Sequence, residues 1–243
     1  MLVLAGLDPS GGAGLLADAE AIRAAGARPL CVATALTAQT TRRMHGFQPL
    51  APALALQTAQ ALIEEEPVRA IKVGMVGTSA MARVIAELLA RAGLPAVVDP
   101  VLAASSGAAL FQGGSAAARE AYARLWPHAI LTPNAAEARI LLDLAHEPQD
   151  ADALESAARE LVRRGAKAAL VKGGHGQGPE SVDVLCAEAR CERLAGPRIG
   201  TTARGTGCRL ASALAAGLAK GKQLPDAARD AKQFVLDFLR SHA

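Results

Sequence analysis

The sequence predicts an α/β protein with a mostly parallel central sheet and helices on both faces. Short apolar runs alternate with longer stretches of helical period along most of the 243 residues, the pattern of strand–helix–strand units. Hydrophobic residues make up 51 % of the chain and aromatics only 2 %, so Ala, Leu and Val must fill a sizeable core. Glycines and polar residues gather just after the apolar runs. In an open parallel sheet those positions share one edge, where ligands bind. The length suits one large domain, and no linker, repeat or low-complexity block interrupts it, so a single domain over 1–243 is expected.

Taken in order, residues 2–5 read as a buried first strand. The glycine-rich loop 8–14 follows and opens into a helix over 15–25, closed by Gly26. A strand over 30–36 exits into the polar run 37–43, suited to substrate contact or to a lid. Helices over 52–66 and 79–92 flank a strand over 68–76, and 96–98 is a strand that ends at Asp99-Pro100. A helix over 115–126, a strand over 129–131 and a helix over 135–142 come next. A helix over 152–164 leads to a strand over 168–171, which runs into Lys172-Gly173-Gly174-His175. Residues 182–187 and 190–194 form a small β-hairpin around Glu188-Ala189. The glycine-punctuated stretch 200–209 precedes a helix over 210–219, and a last helix spans 225–239.

The formal net charge is +3 with both signs interspersed, and no Lys/Arg block or aromatic platform suggests nucleic-acid binding. No apolar run approaches membrane-spanning length. Cysteines 31, 186, 191 and 208 show no CxxC pair and no zinc spacing. Nothing in the sequence demands a disulfide, so a reducing cytoplasm is the expected setting.

The richest stretch is Gly205-Thr206-Gly207-Cys208. Glycines let the backbone turn tightly and present bare amides, and the helix behind adds the positive end of its dipole, together an anion pocket. A thiol in or beside the first helical turn is favoured as thiolate, although a buried structural cysteine fits the same residues. Asp99 fits both an active-site carboxylate and a turn residue. Asn134 and Glu137, three apart at a helix start, suit magnesium held through water and equally a capping pair. The spacing of residues 11–14 is not that of a dinucleotide fingerprint, and Thr206 stands where a Walker lysine would be.

Seven motifs occur in the order of one family. They are Gly6-Leu7-Asp8-Pro9-Ser10-Gly11-Gly12-Ala13-Gly14 with Ala17-Asp18, Thr34-Ala35-Leu36-Thr37-Ala38-Gln39-Thr40, Lys72-Val73-Gly74-Met75, Asp99-Pro100-Val101, Thr132-Pro133-Asn134 with Glu137, Lys172-Gly173-Gly174-His175, and Gly205-Thr206-Gly207-Cys208. The chain resembles the hydroxymethylpyrimidine/phosphomethylpyrimidine kinases of thiamine biosynthesis. The resemblance implies a ribokinase-like three-layer αβα sandwich, often dimeric, that uses ATP and magnesium on a small-molecule pyrimidine. It implies that Gly6, Asp18, Gln39 and Met75 line the pyrimidine pocket. Cys208 takes the catalytic-base position, and Gly205, Thr206 and Gly207 give amides to the transferring phosphoryl group. Lys172 and Thr201 lie along the ATP phosphates, and Asn134, Glu137 and Asp99 hold magnesium.

Arg204 and Arg209 depart from the family, which has histidine and a small hydroxyl residue there. A cation in the first turn of a helix opposes the dipole, so one of them is expected on a substrate or nucleotide phosphate; a tie to a surface carboxylate is the other reading. Arg42-Arg43-Met44-His45 also departs from the usual lid sequence. A pyridoxal or pyridoxine kinase is the nearest alternative. A pyrimidine sensor without turnover is another, and the joint presence of Asp99, Asn134, Glu137, Lys172 and Cys208 argues against it.

Overall fold

The computed structural model describes residues 1–104, 106–174, 178–188, 190–200 and 203–243. Its centre is one nine-stranded sheet. The strands are β1 (Leu2–Leu7), β2 (Leu30–Gln39), β3 (Met44–Pro49), β4 (Ile71–Val73), β5 (Ala96–Val98), β6 (Ile130–Leu131), β7 (Ala168–Val171), β8 (Glu180–Ala187) and β9 (Arg190–Pro197). The spatial order is β3-β2-β1-β4-β5-β6-β7-β8-β9. The run from β2 to β7 is parallel, whereas β3, β8 and β9 pair antiparallel. This is the expected mostly parallel α/β sheet with its hairpin at one end.

The period-2 alternation of the strands sorts the core into two layers. Leu2, Leu4, Ile71, Val73, Ala96, Val98 and Leu131 face one way. They meet α2 (Pro52–Glu65), α3 (Ser79–Ala92), α4 (Gly114–Ala123), α5 (Ala135–Leu142) and α6 (Ala151–Arg163). Val3, Ala5, Val97, Ile130 and Leu170 face the other way, against α1 (Gly14–Ala24), α7 (Thr206–Ala219) and α8 (Leu224–Arg240). A charged side chain at the centre of the sheet breaks that apolar rule. Lys72, the middle residue of β4, points into the α1/α7 layer and is 0 % exposed.

Several boundaries move from their sequence-based positions. The strand expected over 68–76 is only Ile71–Val73, and the helix expected to 126 stops at Ala123, with a 3-10 turn over Trp126–His128. Pro127 has no N–H to continue the helical ladder there. Segment 37–43 is not a free exit: β2 runs to Gln39, turns, and returns as edge strand β3. α7 starts at Thr206, not 210, so Cys208 is its third residue. The Cys186 and Cys191 sulfurs, directly opposite in the β8–β9 ladder, are joined in a disulfide that nothing in the sequence demanded; facing hairpin positions bring the two side chains together. No helix among the described residues is long and apolar enough to cross a membrane.

Candidate active site

The carboxyl ends of the parallel strands meet the N-termini of α1 and α7 along one edge of the sheet. Gly205 caps α7 in the left-handed region at φ 71°. A Cβ there would overlap the Gly12 carbonyl oxygen and come 2.8 Å from Arg209 Nη1. The two glycine loops, 8–14 and 203–207, therefore press on one another. The first amides of a helix have no intrahelical partner, so those of Thr206, Gly207 and Cys208 are left for an anion. Lys172, at the end of β7, reaches this turn: a Cβ on Gly207 would lie 2.9 Å from its Nζ.

Lys172 Nζ donates to Asp99 Oδ1 at 2.7 Å, and Thr132 Oγ1 donates to the same oxygen at 3.3 Å. Burial works against charge on Asp99, but the ammonium groups of Lys172 and Lys72 and the thiol of Cys208, which donates to it, hold its carboxyl below the ordinary value. Burial likewise works against the Lys172 ammonium, and Asp99 and Glu137 overcome it.

Cys208 departs from expectation. Burial pushes its thiol up to about 12; Lys72 opposes this, Asp99 and Asp18 add to it, and a hydrogen bond from the Gly14 amide pulls only weakly the other way. The helix start does not by itself make a thiolate here. At pH 8 iodoacetamide is therefore expected to alkylate the exposed Cys31 and leave Cys208 at least about tenfold slower. Peptide mass spectrometry over a time course reads both sites.

Asn134 and Glu137 form a reciprocal capping box at the start of α5. Asn134 Oδ1 accepts from the Glu137 amide, and Glu137 Oε2 accepts from the Asn134 amide, each at 2.8 Å. Burial pushes Glu137 up to about 7; Lys172 opposes this and Asp99 reinforces it. Among the described residues no three Asp, Glu, His or Cys side chains cluster as direct ligands of a metal ion. Magnesium prefers oxygen donors and keeps most of its water. Glu137 in its ionised form, with Asp99 near enough to act on its charge, could hold a hydrated cation at one remove.

On the β1–β2 side, Gly6 and Met75 are in contact: a Cβ on Gly6 would stand 2.7 Å from Met75 Sδ. Met75 belongs to a small apolar cluster with Ala35 and Leu110, flanked by Met44, Phe47 and Val101. Thr34 Oγ1 fixes the Met75 carbonyl at 2.5 Å. Gln39 borders a neighbouring cavity of about 120 Å³. Met44, next to this cluster, lines that cavity together with Gln39, so an apolar patch and one side-chain amide adjoin there, a combination that suits a small heteroaromatic ring.

A family model described as phosphomethylpyrimidine kinase matches residues 8–243. The chain belongs to that family. A hydroxymethylpyrimidine/phosphomethylpyrimidine kinase of Rhizobium meliloti is 39 % identical over 236 residues, 96 % of this chain and 88 % of the relative. The crystal structure of phosphomethylpyrimidine kinase from Clostridium difficile 630 superposes with a TM-score of 0.83 at 32 % identity and covers 98 % of each chain. A pyridoxal kinase from Staphylococcus aureus, in complex with pyridoxal, gives a TM-score of 0.87 at 27 % identity, over 98 % of this chain and 87 % of its own.

Within the family frame, two expected contacts change, those of Asp18 and Arg209. Asp18 does not face the pocket. It is 0 % exposed, with Oδ2 on Lys72 Nζ at 2.7 Å and Oδ1 on Ser212 Oγ at 2.9 Å. Arg209 does not reach toward phosphate: it pairs with Glu20 at 2.6 Å, lies 4.2 Å over the Phe238 ring and donates to the Gly12 and Arg204 carbonyls. Arg204 turns toward β2, with Nη2 3.6 Å from Asp8 Oδ2 and Nη1 3.4 Å from Ser10 Oγ and the Thr40 carbonyl. Thr201 and His175 lie outside the described residues. Arg209→Met should thus lower stability by about 1–2 kcal/mol through lost hydrogen bonds and stacking, with KM for ATP within about twofold, the scatter expected of a side chain away from the nucleotide; urea unfolding and initial rates read the two separately.

Lys72 and Ser212 are site residues that motif reading left without a role. A lysine at the centre of a buried strand was the available signal for the first. For the second it was a hydroxyl four residues after Cys208, hence on the same face of α7.

Proposed function

We propose that this chain is an ATP- and magnesium-dependent kinase of 4-amino-5-hydroxymethyl-2-methylpyrimidine and its monophosphate, acting in thiamine biosynthesis. The observation that carries the reading is the start of α7, with Cys208 and its open amides, lying against Lys172 on one side and against the glycine loop that follows Gly6 on the other. Phosphoryl transfer needs alignment and charge stabilisation more than covalent chemistry. Gly205, Thr206 and Gly207 hold the transferring group with backbone amides, Lys172 neutralises a phosphate oxygen, and Thr201 is assigned to the same phosphate track. Gly6 and Met75 give the ring a floor, and Gln39 reads its polar edge. Asn134, Glu137 and Asp99 hold hydrated magnesium, which when bound supplies charge neutralisation at the phosphate oxygens.

Cys208 takes the proton of the attacking hydroxyl. Because its own S–H is donated to Asp99, it accepts the substrate proton as it releases its own along that hydrogen bond. The monophosphate needs little deprotonation, so the second transfer depends less on the thiol. The same reading makes 1–243 one kinase domain, cytoplasmic and homodimeric, the last checked by sedimentation. The likeness to pyridoxal kinases favours a second reading in which pyridoxal is the acceptor. Initial rates of ADP release with the pyrimidine alcohol, its phosphate and pyridoxal, with and without magnesium, decide between them. Pyrimidine kinase activity requires kcat/KM for a pyrimidine to exceed that for pyridoxal; the reverse order overturns it.

A further inference from the structure

The β2–β3 turn carries a charge that the reading above does not use. The Thr40 amide donates to the Arg43 carbonyl at 2.8 Å, and Thr40 Oγ1 accepts from the amides of Arg42 and Arg43 at 3.3 and 3.2 Å. The turn is therefore held by its own backbone, and its two guanidinium groups have no ion-pair partner among the described residues. Arg42, Arg43 and Arg204 line one cavity of about 120 Å³ together with Gln39, Thr41 and Ser106. The carboxylate paired with this group is Asp8, at 3.6 Å from Arg204. Among the described residues Asp8 Oδ2 has no hydrogen-bond donor, and Asp8 is 2 % exposed. Three cations against one carboxylate leave a surplus of two positive charges, close to the charge of a phosphate monoester at neutral pH.

The cavity lies at the acceptor end of the site. Arg42 and Arg43 follow β2, whereas Lys172 follows β7, and β1, β4, β5 and β6 lie between those strands. The strand ends are five spacings apart, roughly 24 Å, and although Lys172 reaches back to Asp99 and to the Gly207 turn, Arg42 and Arg43 approach that turn from the opposite, β2 side. Arg204 directly precedes Gly205, which places the arginine cavity next to the amide turn. A neutral alcohol acceptor needs no such charge. A phosphorylated acceptor brings two negative charges toward a triphosphate, and that repulsion must be offset.

We infer that Arg42, Arg43 and Arg204 form a phosphate collar that makes the phosphomethyl pyrimidine the preferred acceptor over the hydroxymethyl one. This inference rests on the kinase reading above. Charge-assisted guanidinium–phosphate bonds are short and directional, and their loss from a partly solvated site corresponds to about ten- to a hundredfold in affinity.

The test is calorimetric binding of both pyrimidines, without nucleotide, to the wild type and to Arg42→Gln/Arg43→Gln. Both side chains lack ion-pair or hydrogen-bond partners among the described residues, so the variant should keep the wild-type Tm. The wild type is expected to bind the monophosphate at least about tenfold more tightly than the alcohol. The variant is expected to lose about tenfold or more of that preference, and in the wild type only the monophosphate should weaken steeply as salt is raised. An unchanged preference in the variant, or equal losses for both ligands, overturns the collar while leaving the kinase reading intact. If the wild type binds neither pyrimidine, both fall.

Discussion

Asp18→Asn is expected to destabilise the protein by about 3–5 kcal/mol, the loss seen when one partner of a buried ion pair is removed. Asp18 and Lys72 are both 0 % exposed and their charged atoms are 2.7 Å apart. Burial works against the ammonium, and Asp18, with help from the Cys208 and Asp99 side of the site, overcomes it and keeps Lys72 above its ordinary value. Asparagine leaves that ammonium in the core without its ion-pair partner, with only the more distant Asp99 carboxylate to offset it. Lys72→Met strands the carboxylate in the same way and should cost a similar amount. The double variant Asp18→Asn/Lys72→Met removes both charges, and its loss should be smaller than the sum of the singles by at least about 2 kcal/mol. Urea unfolding of the four proteins closes that cycle. Activity should not recover with stability, because Asp18 ties α1 to α7 through Ser212, one turn after Cys208. A double variant as unstable as the sum of the singles would show that the pair contributes nothing specific.

Gly205→Ala is expected to lower kcat by about a hundredfold or more, the scale set by roughly 1 Å misplacement of reacting groups. Its residue sits at φ 71°, a region that costs a residue with a Cβ of order 1 kcal/mol or more. The added carbon also has nowhere to go, with the Gly12 carbonyl and Arg209 Nη1 already in its place. Relief requires the 8–14 and 203–207 loops to part, and the second of them carries the amides proposed to hold the transferring phosphoryl group. Gly200→Ala is the contrasting control, since a Cβ at that position meets no atom of the described residues within 4 Å. Steady-state kinetics on both variants, with melting curves to separate unfolding from misalignment, distinguishes the effect. Equal kcat values for the two variants would contradict the contact.

The parts of this fold that could be read from the sequence are those whose determinants are local. Helix α3 begins where Thr78 accepts from the Met81 amide and ends at Gly93 in the left-handed region. Helix α5 begins at its capping box. Both match the expected spans because the residues that stop them are adjacent in the chain. Edge strand β3 escaped notice because Met44–Pro49 contains Gly46 and Pro49 and lacks alternation; it exists because β2 offers it a ladder. The glycines that make the α7 turn also hid its first four residues, since Gly205 and Gly207 read as loop. In the site, strand-end positions were legible, but the direction of long side chains was not. Arg209 is the clearest case: a cation near a helix start suggested phosphate, but it folds back onto Glu20 and Phe238. Cys208 is another, because the dipole favouring a thiolate is a local cue, whereas the burial and the two carboxylates that oppose it come from α1, the end of β5 and the packed layers around them.

The central claim is that the Gly205–Cys208 turn is a phosphoryl-transfer centre serving a pyrimidine alcohol. Single-turnover conversion of the hydroxymethylpyrimidine with ATP and magnesium, by wild type and Cys208→Ala, tests it most directly. The wild type should form the monophosphate and ADP in equal amounts. Cys208→Ala should be slower by about a hundredfold or more, the usual contribution of a positioned proton acceptor, with ATP binding retained. Equal rates in the two proteins, or no monophosphate from a folded, ATP-binding wild type, would contradict it.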